Sequence, residues 1–240
     1  MGLAGIVKRE RFLRRWVEDL ATERRDPKDW LCLRIDGQGR SAIYVPVPKA
    51  ANTSIRYALL PCFSDHPDEN ADIHHHPDMP TMSLWEQMQI MDEETFLFTV
   101  VRHPAERILS TYRNKMGRGR YFGHAARLGM NKTISFDEFL KTLLRVPPHA
   151  LDSHFKPQAL LLGYALNQPN LSIYKSESID DDWKGIASKI FGMTGRNPLK
   201  TLDRLNATIK SNLGSEFTKP QRLMIEHLYH EDFSLFGYDW

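Results

Sequence analysis

The sequence predicts an α/β fold in which helices flank a central, mainly parallel sheet. Three observations predict it. Short apolar runs alternate with segments of helical spacing along most of the chain. One run, Ala42–Val47, is apolar and β-branched, as a strand buried in a parallel sheet is. Another, Thr95–Val101 (TFLFTVV), is the strongest strand signal in the sequence. With 240 residues and 41% hydrophobic content, the chain can bury a core without disulfide or metal staples. It reads as one domain, 1–240, with residues 1–30 as a helical N-terminal extension.

The elements follow in order. Residues 8–24 place Phe12, Leu13, Trp16, Val17 and Leu20 at helical spacing, with Pro27 beyond as a stop. Leu31–Ile35 and Ser41–Val47 read as strands around the turn Asp36-Gly37-Gln38-Gly39. Asn52–Leu60 is a helix ended by Pro61, and 61–82 a long loop with a short strand near Ile73. Leu84–Met91 is a short helix. Pro104–Lys115 is a helix with proline in its favoured first turn. The Gly- and Arg-rich stretch 117–134 reads as mobile. Phe136–Leu144 carries the capping-box pair Ser135 and Glu138. Pro157–Tyr164 is a helix, Leu171–Tyr174 a strand, Ile179–Phe191 a helix, and Thr218–His230 the last helix. Phe233, Phe236, Tyr238 and Trp240 form an aromatic tail, and the spacing of Phe233, Phe236 and Trp240 suits core packing better than a ligand box.

Charge and cysteine content exclude several classes. There are 32 basic and 30 acidic residues, a net charge of +2, which argues against a nonspecific nucleic-acid or membrane binder. Basic residues still cluster at Arg113–Arg120, which leaves room for one anionic site. Cys32 and Cys62 match no metal or redox spacing, and a reduced compartment is the simplest reading. No run is long enough to span a membrane. The first residues have their charges after the apolar part, the wrong order for a signal peptide, and Ile6 breaks the myristoylation pattern.

Two segments point to phosphate chemistry. The first runs strand, loop, helix: Ile43–Val47, then Pro48 to Ser54, then Ile55 onward. A helix start offers unpaired N–H groups and a partial positive charge. Ala50 and Ala51 let an anion approach the backbone, Lys49 adds a full charge, and Thr53 and Ser54 add hydroxyl donors. The loop is not a Walker A motif, since GxxxxGK[ST] is absent. The plainer alternative is an ordinary strand-to-helix turn capped by Asn52 or Thr53. In the second segment, strand Phe96–Val101 runs into Arg102-His103-Pro104, with Ser110 two turns into the next helix on the side of Arg107. Arg102 and Ser110 converge on one phosphate if the strand end and helix face turn the same way. The alternative is surface ion pairing among Arg102, Glu106 and Arg107.

Together these segments resemble the sulfotransferases that use 3′-phosphoadenosine 5′-phosphosulfate (PAPS), in their carbohydrate, family 2-like branch. VPKAANTSIR (47–56) is similar to that family's 5′-phosphosulfate loop. TVVRHPAERILSTYRNKM (99–116) is similar to its 3′-phosphate segment, VRDPxERLxSxYRxK, with His103 in place of the usual Asp. Asp152–Gln158 (DSHFKPQ) resembles the family's H[WF]xPQ element, Ile173–Glu177 its following strand, and Tyr229–Tyr238 its closing YxxDFxxFGY. The resemblance runs in order over about residues 42–238. It implies a P-loop-like three-layer fold and PAPS as donor co-substrate, released as the 3′,5′-bisphosphate PAP, with no metal required. It also implies donor contacts from Lys49, Ala50, Ala51, Asn52, Thr53, Ser54, Arg102 and Ser110, and a hydroxyl-bearing, carbohydrate-type acceptor. Eukaryotic members are usually Golgi membrane proteins, whereas this chain shows no anchor, so the expectation is a cytoplasmic enzyme.

Transfer to a hydroxyl needs a base near neutral pKa and charge stabilisation on the leaving phosphate, the latter from Lys49 and the loop N–H groups. His74, His75 and His76 lie about 20 residues past the first loop, where relatives of the heparan O-sulfotransferase type carry a catalytic histidine. In an extended segment His74 and His76 face one way and His75, the weaker candidate, the other. A polar surface loop, or a metal site of His74 and His76 with Asp72 or His66, are the alternatives. His154 is a candidate for acceptor binding or a packed histidine at the Pro157 helix. Lys175 and Glu177 either assist the site or end a strand in solvent. A P-loop kinase would need an acid where Arg102 follows Val100-Val101. A nucleotide-binding module without turnover is the non-catalytic alternative.

Overall fold

The computed structural model describes residues 31–66, 68, 71–117, 123–202 and 216–240. The expected helix over 8–24 lies outside the described residues, as does part of the stretch 117–134. The strands are β1 (Leu31–Gly37), β2 (Arg40–Val45), β3 (Met82–Ser83), β4 (Phe96–Val101) and β5 (Leu171–Lys175). The helices are α1 (Asn52–Leu59), α2 (Leu84–Ile90), α3 (Pro104–Tyr112), α4 (Gly123–Arg127), α5 (Phe136–Leu143), α6 (Gln158–Leu162), α7 (Ile179–Thr194) and α8 (Lys219–Phe236). They fall into two compact units: 31–103 with 161–202, and 104–160 with 216–240.

The first unit holds one five-stranded sheet in the order β3-β1-β2-β4-β5. β2 pairs parallel with β4, and β4 with β5, while β1 runs antiparallel to both β2 and β3. Four strands therefore share a direction and β1 opposes them, so the sheet is mixed, and parallel apart from one strand. The β1–β2 hairpin closes at Gly37 and Arg40 through Gln38 (φ 51°) and Gly39 (φ 76°), a mirror-image turn that matches strand twist. Gly37 is required for a different reason: a Cβ there would sit 1.9 Å from the Thr194 carbonyl oxygen at the end of α7.

One face of this sheet supplies Leu33, Ile35, Ala42, Tyr44, Phe96, Phe98 and Val100 to a core shared with Ile55, Ala58 and Leu59 of α1 and Trp183, Ile186 and Ile190 of α7. The Phe98 ring stacks at 5.2 Å on Tyr44 and at 5.0 Å on Phe96. The intervening Ile43, Val45, Leu97, Thr99 and Val101 are buried too. Burial on both faces is why β4 reads as a continuous apolar run, each such side chain contributing about 1.5–3 kcal/mol. Thr99, the polar member, donates its hydroxyl to the Val45 carbonyl at 2.8 Å. Cys32 and Cys62 are free and buried, and burial pushes both thiols up to about 12.

The second unit packs α3, α5 and α8 around Ile108, Phe139, Leu140, Leu143, Phe155, Ile225, Leu228 and Tyr229. Ser135 caps α5 by accepting the Glu138 N–H, as the sequence predicts, but the box stays half-formed because the Glu138 carboxyl pairs with Lys141 instead. The last helix runs past His230 to Phe236, through a kink at Tyr229 (φ −125°, ψ 26°), and ends at left-handed Gly237. Two buried groups hold that extra stretch: the Tyr229 hydroxyl donates to the Phe155 carbonyl, and Asp232 accepts the backbone N–H groups of Gln158 and Ala159. Phe233 and Trp240 pack on this core with rings 5.8 Å apart, and Phe236 is buried, in keeping with a packing role. Three further boundaries move. α3 gives way to a π turn at Arg113–Gly117, and α6 to a 3-10 turn at Gly163–Asn167. Ile73 sits in a turn rather than a strand, its side chain buried beneath a segment punctuated by Pro77 and Pro80. Among the described residues no helix is long and apolar enough to cross a membrane.

Candidate active site

The first loop leaves the sheet at Val45 and turns at Val47, whose carbonyl accepts the Ala50 N–H at 3.2 Å. Lys49 has φ 69° and Ala51 φ 56°, ψ 11°, while Ala50 between them stays on the ordinary side. Backbone that alternates in hand is the kind that gathers neighbouring N–H groups toward an anion, although the Ala50 N–H itself is taken by Val47. A non-glycine residue held there costs about 1–3 kcal/mol. Ala51 is also the N-cap of α1; no side chain caps the helix and its first turn holds no acid. The expected cap by Asn52 or Thr53 is therefore corrected. Asn52 already lies inside the helix, and its Oδ1 turns back to the Tyr44 hydroxyl (3.4 Å) and to Arg56 Nε (3.3 Å). Ala50 is fully buried, and Lys49, Asn52, Thr53 and Ser54 are half-buried.

The neighbouring strand ends bring more groups to the same edge. Arg102, just after β4, donates Nη1 to the Lys49 carbonyl at 3.3 Å. The next residue, His103, donates its backbone N–H to Glu177 Oε1 at 2.7 Å, and Ser176 N–H reaches the Val101 carbonyl at 2.8 Å. Glu177 is thus no idle strand end: it pins the exit of β4 to the exit of β5. Lys175, half-buried, is the last residue of β5. Lys49, Arg102 and Glu177 all follow carboxyl ends of strands, the ligand-binding edge of α/β sheets.

Surface ion pairing does not describe Arg107. It is 1% exposed and donates to the Ser153 and Lys156 carbonyls, each at 2.8 Å, in the helical unit. Burial draws its pKa down, against the pull of Tyr229, Asp232 and Asp152. Ser110 is half-buried on the second turn of α3, also in the helical unit.

The three adjacent histidines part company. The segment is a turn, not extended: His75 N–H bonds the Asp72 carbonyl and His74 N–H bonds Asp72 Oδ1 at 3.0 Å. His74 Nε2 lies 3.2 Å from Thr53 Oγ1, on the first turn of α1. His75 turns to solvent with its Nδ1 3.0 Å from Asp72 Oδ2, and with His74 holds the Asp72 carboxyl below its ordinary pKa. His76 is buried; its Nδ1 accepts the Asp78 N–H at 3.2 Å and its Nε2 donates to the Asp68 carbonyl at 3.1 Å. That bonding requires the neutral ring with the proton on Nε2. With both ring nitrogens of His76 engaged, the alternative metal site of His74 and His76 is corrected. Among the described residues no cluster of His, Cys, Asp and Glu is arranged to hold a metal ion.

His154 does not cap the helix after Pro157; Asp232 does that through the Gln158 and Ala159 N–H groups. Instead its Nδ1 lies 2.8 Å from Asp152 Oδ1, which also accepts the His154 N–H, while its carbonyl accepts from Thr111. Sequence reasoning placed Asp232 within the closing motif but missed that it caps the helix after Pro157, and it missed the pair Tyr44 and Arg56 beneath the first loop. The available signal for Arg56 was its i+4 spacing from Asn52.

The chain belongs to the sulfotransferase family: the model described as "Sulfotransferase family" matches residues 35–239. No curated protein and no solved structure gave a match.

Proposed function

We propose that this sulfotransferase-family chain moves a sulfuryl group from PAPS to a hydroxyl of an acceptor, carbohydrate being the class that the motif resemblance favours. The observation that carries the reading is the strained loop Lys49–Ser54, with left-handed Lys49 and Ala51, a helix start that no side chain caps, and Arg102 bound to its backbone. Such a loop fits an anionic phosphosulfate and has no use for a neutral ligand. On this reading the fold is the P-loop-like, three-layer type, in one domain over 1–240 and in the cytoplasm.

The donor, when bound, supplies an electrophilic sulfur whose phosphate leaving group must carry away charge. Lys49 and the N–H groups of residues 51–54 at the start of α1 stabilise that charge. Arg102 holds the 3′ phosphate. Ser110 as its second donor, and His154 as an acceptor contact, rest on the family resemblance. His74 is the base: supported by its 3.2 Å approach to Thr53, it takes the proton of the acceptor hydroxyl as oxygen attacks sulfur. His75 and His76 are set aside, the first because its ring turns to solvent against Asp72 and the second for its two engaged nitrogens.

Thermal shift and calorimetry with 3′,5′-adenosine bisphosphate, 5′-AMP and ATP with Mg²⁺ test the donor half. The bisphosphate is expected to bind best, and a clear preference for ATP with Mg²⁺ would sink the reading in favour of a kinase-like protein. Binding without sulfuryl transfer to any glycan or small alcohol, in a screen with labelled PAPS, would favour a non-catalytic module.

A further inference from the structure

Asn52 stands one residue past the strained Ala51, at the start of α1. Its Oδ1 meets Arg56 Nε at 3.3 Å and the Tyr44 hydroxyl at 3.4 Å. Arginine has donors only, so the atom facing it is the amide oxygen, and the amide orientation is fixed by chemistry. Its two Nδ2 hydrogens are turned the other way, and among the described residues nothing accepts them. Arg56 itself is 5% exposed. Its remaining hydrogen-bond partner is the Met79 sulfur, 3.9 Å from Nη1, a weak acceptor, and no described carboxylate pairs with it. The nearest acid acting on it is Asp72, at a distance and exposed, and burial draws the guanidinium pKa down.

A buried cation without a carboxylate partner destabilises a fold. Among the described residues Arg56 has none paired to it, and it sits one helical turn below the uncapped start of α1. We propose that Arg56 and Tyr44 are positioning residues of the donor site. They lock the Asn52 amide so that Nδ2 donates to the anion at that helix start, and the anion supplies the countercharge that Arg56 lacks. The inference rests on the anion-binding reading of the Lys49–Ser54 loop and adds a positioning element to it: a residue that acts on the anion without touching it.

The test uses the full chain, with 3′,5′-adenosine bisphosphate as probe and melting recorded without ligand. Arg56→Met replaces the cation by an apolar chain of similar volume. It is expected to leave Tm unchanged or higher while weakening the bisphosphate about ten- to a hundredfold, the loss of one hydrogen bond to a charged group. Arg56→Lys, which keeps the charge, is expected to recover part of that loss. Asn52→Asp pairs a carboxylate with Arg56, and is expected to raise Tm while abolishing binding. Arg56→Met added to Asn52→Ala is expected to cost less than the sum of the two single losses, because both remove the same donor and only the charge of Arg56 is left to lose. Tyr44→Phe keeps the core ring and serves if Arg56→Met does not fold; it is expected to weaken binding about two- to tenfold. A purely structural Arg56 gives the opposite pattern, lower Tm with unchanged affinity, and that outcome, or additive losses in the double variant, overturns the inference. Failure of the wild-type chain to bind bisphosphate overturns the donor-site reading itself, a result distinct from variants that fail to couple.

Discussion

Helices α1 and α8 both begin beside hydroxyl residues, Thr53 and Ser54 in one case and Thr218 in the other. At α8, Thr218 accepts the Gln221 N–H and Gln221 accepts the Thr218 N–H, a complete capping box. At α1 the cap position is Ala51, left-handed and without a side-chain acceptor, and the hydroxyls lie past it. Ser83 and Ser135 cap α2 and α5 as Thr218 caps α8. The sequence therefore spends its hydroxyls on local satisfaction at these three helix starts. At α7 the Ser178 hydroxyl turns to the Lys175 carbonyl and Asp182 instead, but three acids stand in the first turn, whereas α1 has neither a side-chain cap nor an acid. A helix start whose N–H groups are left for something else, at the cost of two strained residues, is where the fold departs from its own rules.

The largest expected effect lies at the histidine proposed as base. His74→Ala is expected to lower sulfuryl transfer by about 10²–10⁴, the range for a lost general base, with bisphosphate affinity retained. His75→Ala is expected to transfer at the wild-type rate. His76→Ala is expected to act through stability instead, leaving the Asp78 N–H without its acceptor and costing about 1–3 kcal/mol. Rates from labelled donor and a melting curve for each variant separate the three; full activity in His74→Ala removes it from the chemistry.

Lys49→Ala is expected to reduce transfer by about 10²–10³, as the loss of a charge-stabilising donor does. Its melting temperature should move by less than about 2 °C, since the side chain is half-buried and outside the core. Thr218→Ala, the matching change at the ordinary helix start, is expected to do the reverse: about 1 kcal/mol of stability lost and transfer unaffected. Equal effects on both readouts at both sites would erase the difference between the two helix starts.

The parts that were legible in the sequence are those governed by burial and local capping. β4 was readable because six consecutive residues are buried on both faces. The start of α5 was readable because Ser135 and Glu138 stand at box spacing. The end of α8 was not: a buried Asp232 and Tyr229 carry the helix through a kink by bonding a segment about 74 residues away in sequence, and no local pattern encodes such a partner. Lys49 and Arg102 could be nominated from their order after strands. The left-handed backbone at Lys49 and Ala51 could not, because neither residue type favours it. The sequence set His75 behind the other two but could not separate His74 from His76, for the same reason: proximity to Thr53 or a buried turn depends on how Asp72 folds the chain back on itself.

The smallest change tests the strain directly. Ala51→Gly relieves about 1–2 kcal/mol of left-handed strain and loses about 0.5–1 kcal/mol to the greater freedom of glycine in the unfolded chain. The expected balance is a gain of about 0.5–1 kcal/mol, a rise of a few degrees at most in Tm for a chain of this size. Bisphosphate affinity should hold or fall slightly, because the loop keeps its N–H groups but loses the stiffness that holds them in place. The sign is the informative quantity. A rise in Tm with affinity kept means that the strain is stored in the loop and offset by packing elsewhere. A fall means that Ala51 is at ease where it stands, and that the uncapped start of α1 differs from the start of α8 in its missing cap alone.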